Sequence, residues 1–254
     1  MQSAHCRMLV REWETIREVQ MEHPPQASKL QSKPVVGLIG GIGSGKSLVA
    51  EMFRRRGANV ISGDQLGHEA LRQPEIRAEV VGRWGPQVLE SDGTISRRRL
   101  AAIVFRDPKE LQALEALVFP WIERRIREEI AAARALAEGR LIILDAAIML
   151  EAGWNKVCDW LVYVNAPRAA RLRRLEEQRG WGAKEVHERE KVQMSLTDKM
   201  SRADYVVDNS DTPEQIAQQV DDLLKQWGID KMIAGDGELP DGNRPGRPSS
   251  ETAP

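Results

Sequence analysis

The chain has 254 residues, 41% of them hydrophobic and 30% charged, with a formal net charge of −1. That length suffices for one substantial core with elaborations, and the near-neutral balance exerts no long-range pull toward nucleic acid or an anionic membrane, so neither is expected as a partner. Cys6 and Cys158 lack metal-type spacing and no segment approaches the ~18 apolar residues of a membrane span, which disfavours a disulfide scaffold, a zinc site and a transmembrane protein and leaves a cytoplasmic enzyme as the expectation.

Residues 1–32 are polar and contain Pro24-Pro25, so they are expected to lie outside the core. The first strand signal is the apolar run Val35–Ile39, and it leads directly into Gly40-Gly41-Ile42-Gly43-Ser44-Gly45-Lys46-Ser47. This is the pattern G-x-x-x-x-G-K-[ST], followed, as its mechanism requires, by a helical pattern over 47–56. Glycines let the backbone curl so that successive N–H groups face phosphate oxygens, and the helix adds its positive end to the same place. The backbone from Gly41 through Ile42, Gly43, Ser44, Gly45, Lys46 and Ser47 to Leu48 is therefore the expected nucleotide cradle. Within it Lys46 is expected to meet the outer phosphates of ATP and Ser47 to offer its hydroxyl to Mg2+.

A second strand, 58–62, runs into Gly63-Asp64. In a parallel sheet the carboxyl ends of the strands border the ligand crevice, so Asp64 is expected near the phosphate loop. There it would serve either as the base that orients an acceptor hydroxyl or as the cap of a helix starting near Gln65; position alone leaves the two open. His68, one turn on, carries no assignment. Residues 74–138 depart from the strand–helix alternation. Leu111, Leu114, Leu117 and Val118, continued by Ile122, Ile126 and Ile130, form one helical face, which predicts a helical insertion suited to the second substrate. Within it Arg97-Arg98-Arg99 is either a site for a phosphorylated acceptor or plain surface charge.

Leu141–Leu144 is a third strand, and Asp145 at its end is expected to support the metal or its water, with a turn-capping aspartate as the competing account. Leu161–Val164 is a fourth. Arg168, Arg171 and Arg174 then recur every three residues with Arg173 and Arg179 nearby, a face that suits a phosphate-clamping lid over about 168–196, with Arg174 as the catalytic arginine. Interleaved Glu176 and Glu177 leave a solvated surface as the other reading. Tyr205–Val207 and a helix over 213–227 complete the core. The last segment, 231–254, is rich in Gly, Pro and Ser and is expected to be a disordered tail. The whole predicts an α/β fold, a P-loop NTPase of three layers (α/β/α) around a parallel sheet, with a helical substrate-binding insertion and a lid.

Over about residues 34–228 the ordered motifs resemble the dephospho-coenzyme A kinase family. The likeness runs from the phosphate loop and Val60-Ile61-Ser62-Gly63-Asp64 through Asp92-Gly93, Arg97, Phe105, Leu114-Glu115 and Pro120. It continues with Asp145 to Trp154, Cys158-Asp159, Ala166-Pro167, Arg189 with Gln193, and Lys199 followed by Arg202-Ala203-Asp204-Tyr205-Val206-Val207-Asp208-Asn209. The resemblance implies phosphorylation of the ribose 3′-hydroxyl of dephospho-coenzyme A by ATP, the last step of coenzyme A synthesis, and favours Asp64 as the base. The chain departs from the family pattern at Ser62, Phe119, Ala147, Ser195 and Gln178. Two other readings remain: another P-loop kinase acting on a nucleotide or small metabolite, and an ATP-binding switch that transfers no phosphate to a metabolite.

Overall fold

The computed structural model describes residues 32–210 and 212–229; the expectations of an appendage before residue 33 and of a tail from 231 concern residues outside that range. The expected parallel sheet is present. Five strands, β1 (Val35–Ile39), β2 (Asn59–Ser62), β3 (Ile142–Asp145), β4 (Trp160–Asn165) and β5 (Tyr205–Asp208), lie in the order β2-β3-β1-β4-β5. All four pairings are parallel.

Helices cover both faces, which is why the central strands are apolar at every position rather than at alternate ones. One layer holds α1 (Lys46–Arg54) and α9 (Pro213–Gln226). Val36 and Leu38 point into it and meet Val49, Phe53, Ile216, Val220 and Trp227. Val35 and Ile39 point the other way, toward α2 (Gly63–Ala70) and three helices of the 74–138 segment. These are α3 (Pro74–Trp84), α4 (Arg97–Val104) and the long α5 (Pro108–Ala135). The predicted face of α5 is the buried one, with Val118, Ile122, Ile126 and Ile130 inside. Pro120 sits within this helix. Its neighbour Phe119, one of the departures, packs edge-on against Trp154 at 5.4 Å. Glycine at position 37 is sterically required, because a Cβ there would stand 2.5 Å from Met149 Sδ and 2.8 Å from Cys158 Sγ.

Past β4 come α6 (Arg168–Arg179), α7 (Ala183–Lys191) and α8 (Leu196–Ser201). The chain returns through β5 to α9, whose start is fixed by a capping box between Thr212 and Gln215. Trp227, just beyond α9, is 1% exposed and stacks on Trp160 at 5.0 Å and on Phe53 at 6.0 Å. The end of the described chain therefore locks the outer helical layer to the sheet. Trp227→Ala should lower the unfolding free energy by about 3–5 kcal/mol, read from the urea midpoint; an unchanged midpoint would show the aromatic stack to be dispensable.

Candidate active site

The site lies at the carboxyl ends of β1, β2 and β3. Chain direction requires this, because a parallel sheet gathers those ends on one edge. Leaving β1, the backbone turns at Gly40, where φ is 146° and a Cβ would lie 2.6 Å from the Val164 carbonyl. Ser44 N donates to Gly41 O at 3.1 Å to close the turn. Gly45 then enters the left-handed region with φ 91° and stands at the N-cap of α1 without a side-chain cap. The first hydrogen bonds back to Gly45 O come from Leu48 and Val49, so the N–H groups of Lys46 and Ser47 point out of the helix end, the arrangement that binds anions.

The carbonyls of the loop are satisfied by the protein's own donors. Lys46, 9% exposed, folds its Nζ onto Gly40 O at 3.3 Å and Gly41 O at 3.2 Å. Arg171, 3% exposed, donates from Nη1 to Ile42 O at 3.1 Å and to Glu190 Oε1 at 2.8 Å. Asn209 Nδ2 donates to Ser44 O at 2.7 Å. Arg174 donates to the same carbonyl at 3.4 Å and to the backbone and side-chain oxygens of Asn209 at 3.0 and 3.1 Å. Of the arginine face expected from the sequence, Arg171 and Arg174 thus reach the phosphate loop, and Arg168 pairs with Glu190 at 2.8 Å. Arg173 is turned to Glu177, and Arg179 lies over the Trp181 ring, 4.9 Å from its centroid. Gln178 is exposed.

Ser47 Oγ donates to Asp145 Oδ2 at 2.7 Å, so the hydroxyl and carboxylate expected to share a metal are already together. Burial raises the pKa of Asp145 and the neighbouring Asp64 charge adds to the rise, while the Ser47 hydrogen bond and the Lys46 ammonium oppose it. Lys46 is shifted the other way. Burial lowers its pKa, as does the Lys199 ammonium; Asp145, Asp64 and Glu151 counteract.

Asp64 sits in the first turn of α2 and does not cap it. Ser62 does, its Oγ accepting from Gln65 N at 3.3 Å, and the helix starts at Gly63 rather than near Gln65. The capping alternative for Asp64 is therefore removed, and the Ser62 departure has a structural role. Ser62 is also the register partner of Asp145 across β2 and β3, which brings Asp64 within electrostatic range of both Asp145 and Lys46.

Several residues at this edge were given no role by the sequence reading, although Lys199, Asn209 and the stretch that holds Glu151 belong to the family likeness. Lys199, 1% exposed, makes an ion pair with Glu151 Oε1 at 2.9 Å, and the same oxygen accepts from Met194 N at 2.9 Å. This pair ties the segment after β3 to the start of α8, where the departure Ser195 acts as cap by accepting from Asp198 N. Ala147, another departure, lends its carbonyl to Lys199 at 3.5 Å. Asn209, which holds Ser44 O, and Glu190, which holds Arg171, were likewise given no role. Only their distance from the loop in sequence hid them. On α7, Arg189 lies over Trp181 at 3.9 Å and over Phe105, just past α4, at 4.9 Å.

No group of three or more His, Cys, Asp or Glu residues that could hold a metal ion occurs among the described residues. Ser47 and Asp145 suit a hard cation, both being oxygen donors beside the phosphate cradle. Among the described residues no helix is long and apolar enough to cross a membrane.

Comparison with known proteins agrees with this geometry. The family described as dephospho-CoA kinase matches residues 34–215. Dephospho-CoA kinase of Anaeromyxobacter dehalogenans is 38% identical over 193 residues, covering 75% of this chain and 90% of that protein. The Aquifex aeolicus dephospho-CoA kinase is 38% identical over 192 residues, with 75% and 96% covered. A crystal structure from Thermus thermophilus superposes with a TM-score of 0.64 at 34% identity, over 77% of this chain and 98% of that one. The dephospho-CoA kinase of Campylobacter jejuni, at 20% identity and a TM-score of 0.57 over 76% and 96% of the two chains, shares the fold. With the P-loop, the three strand ends and the helical insertion all inside the matched span, the chain belongs to the dephospho-CoA kinase family.

Proposed function

We propose that this chain transfers the γ-phosphoryl group of ATP to the ribose 3′-hydroxyl of dephospho-CoA, giving CoA and ADP. The observation that carries the reading is the juxtaposition, at one sheet edge, of an anion cradle with the Ser47–Asp145 pair and a carboxylate, Asp64, that has no hydrogen-bond partner among the described residues. Kinase chemistry needs little covalent help from the protein; it needs positioning and charge stabilisation.

The N–H groups of the loop that its own turns do not use, those of Lys46 and Ser47 among them, would receive the phosphates of ATP, and Lys46 would leave its loop carbonyls to meet the β and γ oxygens. Its burial supports this role, since an ammonium held by two carbonyls in a desolvated pocket gains from a phosphate arriving beside it. Arg174, close to Ser44, would direct its guanidinium at the charge that spreads over the transferring group. Ser47 and Asp145 would hold Mg2+, which when bound neutralises phosphate charge. Asp64 would accept a hydrogen bond from the acceptor hydroxyl, align the oxygen for in-line attack and take its proton as the O–P bond forms. The segment 168–196 would close over the site to keep water out and spare ATP from hydrolysis. A cytoplasmic setting accords with Cys158, a free thiol whose pKa burial pushes up to about 12, leaving it unreactive.

Purified protein with Mg-ATP and dephospho-CoA should yield a product one phosphoryl group heavier, identified by mass; ATP consumption indifferent to the acceptor would favour the switch reading instead. Lys46→Ala should cut turnover by about 10²–10³-fold with an unchanged far-UV CD spectrum, and near-wild-type rates would refute its assignment. Asp64→Asn should lower kcat by about 10²–10⁴-fold while ATP still binds. Loss of ATP binding in that variant, with catalysis per bound ATP intact, would move Asp64 to the nucleotide subsite.

A further inference from the structure

The buried ion pair between Lys199 and Glu151 has no part in the chemistry above. Lys199 Nζ is held from two segments: by Glu151 Oε1 at 2.9 Å and Ala147 O at 3.5 Å in the turn after β3, and by Gln193 Oε1 at 3.3 Å just before α8. Ala147 and Glu151 are four residues apart, so one ammonium grips that turn at both ends. Glu151 Oε1 also accepts from Met194 N at 2.9 Å, which joins the two segments on a single carboxylate oxygen. The turn is closed from within as well. Ala152 N donates to Ile148 O and Trp154 N to Met149 O, each at 2.9 Å, and Met149 and Leu150 are buried in the core.

This turn carries the edge of the site. Asp145 ends β3 two residues before Ala147. Ala146, between them, lies against the start of α2: a Cβ built on Gly63 would stand 2.7 Å from Ala146 Cβ and 3.5 Å from Asp145 O, so the glycine lets the two backbones approach this closely. Asp64 is the next residue, and Ser62, on the other side of Gly63, is in register with Asp145. Both carboxylates therefore hang from backbone that packs on the segment Lys199 holds. Stability alone does not call for a charge here, because an apolar pair of similar volume holds a fold about as well as a buried ion pair. An ammonium adds direction, fixing several oxygens around one point.

We propose that Lys199, with Glu151, is a positioning residue for phosphoryl transfer: by fixing the turn after β3 it sets the Asp145 carboxylate toward the metal and Asp64 toward the acceptor hydroxyl. The inference rests on the proposed function, in which those two carboxylates have those roles. Lys199 acts through the backbone, since its ion-pair partner is Glu151 and not either of them. Without the ammonium the turn keeps its internal hydrogen bonds and its buried Met149 and Leu150, but it loses the tie to residues 193–194 and the end of β3 can shift. In-line transfer tolerates little of that, a misplacement of about 1 Å costing on the order of 10²-fold in rate.

Lys199→Met and Glu151→Gln test it. The glutamine keeps an oxygen for Met194 N and disturbs packing least. Asp221→Asn is the control for lost stability alone, because it weakens a part-buried pair with Arg56, at 2.7 Å, in the outer helical layer. Binding of Mn2+ in the presence of ADP, read by electron paramagnetic resonance, should weaken about tenfold in Lys199→Met, less in Glu151→Gln, and not in Asp221→Asn. In turnover with ATP and dephospho-CoA, kcat of Lys199→Met should fall by about 10–100-fold with both KM values within about threefold of wild type. An unmoved Mn2+ affinity or an unmoved kcat in Lys199→Met overturns the proposal, as do equal losses in Asp221→Asn at an equal drop in melting temperature. If Lys199→Met does not fold, Glu151→Gln decides by the same criteria. Wild-type protein that phosphorylates no dephospho-CoA sinks the proposed function, whereas wild-type turnover with insensitive variants sinks this inference alone.

Discussion

The site depends on which way the peptide units between Gly40 and Ser44 face. A peptide unit carries its N–H and C=O on opposite sides, so holding the carbonyls toward the protein turns the amides toward the crevice. Here the carbonyls of Gly40, Gly41, Ile42 and Ser44 are held by Lys46, Arg171, Asn209 and Arg174. Those donors come from α1, α6 and the residue after β5, so three separate parts of the chain converge on one loop. The cost of desolvating Arg171 is met by Glu190, itself pulled below the usual carboxylate range by Arg171 and Arg168 although burial works against that shift. The cradle is preorganised in the sense that matters for catalysis: its dipoles are oriented before a phosphate arrives.

Around the cradle, charge is nearly matched at short range. Lys46 and Lys199 face Asp145, Asp64 and Glu151. Bringing a polyanionic nucleotide into such a group favours the ammonium form of Lys46 and disfavours nearby ionised carboxylates, unless a cation accompanies the phosphates. That is a physical reason for the pairing of nucleotide with Mg2+ proposed above for Ser47 and Asp145. Glu115, whose pKa is raised by burial and by Glu151, extends the acidic side toward α5.

The parts of the site that the sequence displayed were those encoded locally. Gly40 to Ser47 could be read because the loop, its strand and its helix are contiguous, and each glycine answers to a backbone need within a few residues. Asp64 could be placed because a strand end in a parallel sheet has one possible location. Its competing role as a cap fell only when Ser62 was seen to do that work. What stayed hidden was held by distant segments. Lys199 and Glu151 are 48 positions apart in numbering and look like ordinary surface charges until folded into one buried ion pair. Asn209 and Glu190 gave no pattern that linked them to Ser44 or Arg171. Arg171 itself was visible only as one member of a periodic face, and periodicity could not tell it from the exposed Arg173.

Two adjacent residues of α7 look in different directions. Arg189 rests on Phe105 at the end of α4, in the helical segment that the acceptor would occupy, while Glu190 holds Arg171 against the nucleotide loop. Consecutive residues of a helix cannot be displaced independently, so any rotation of α7 that loosens one contact strains the other. Through these two side chains one short helix fastens the end of α4 and the arginine that braces the phosphate loop to a single rigid element.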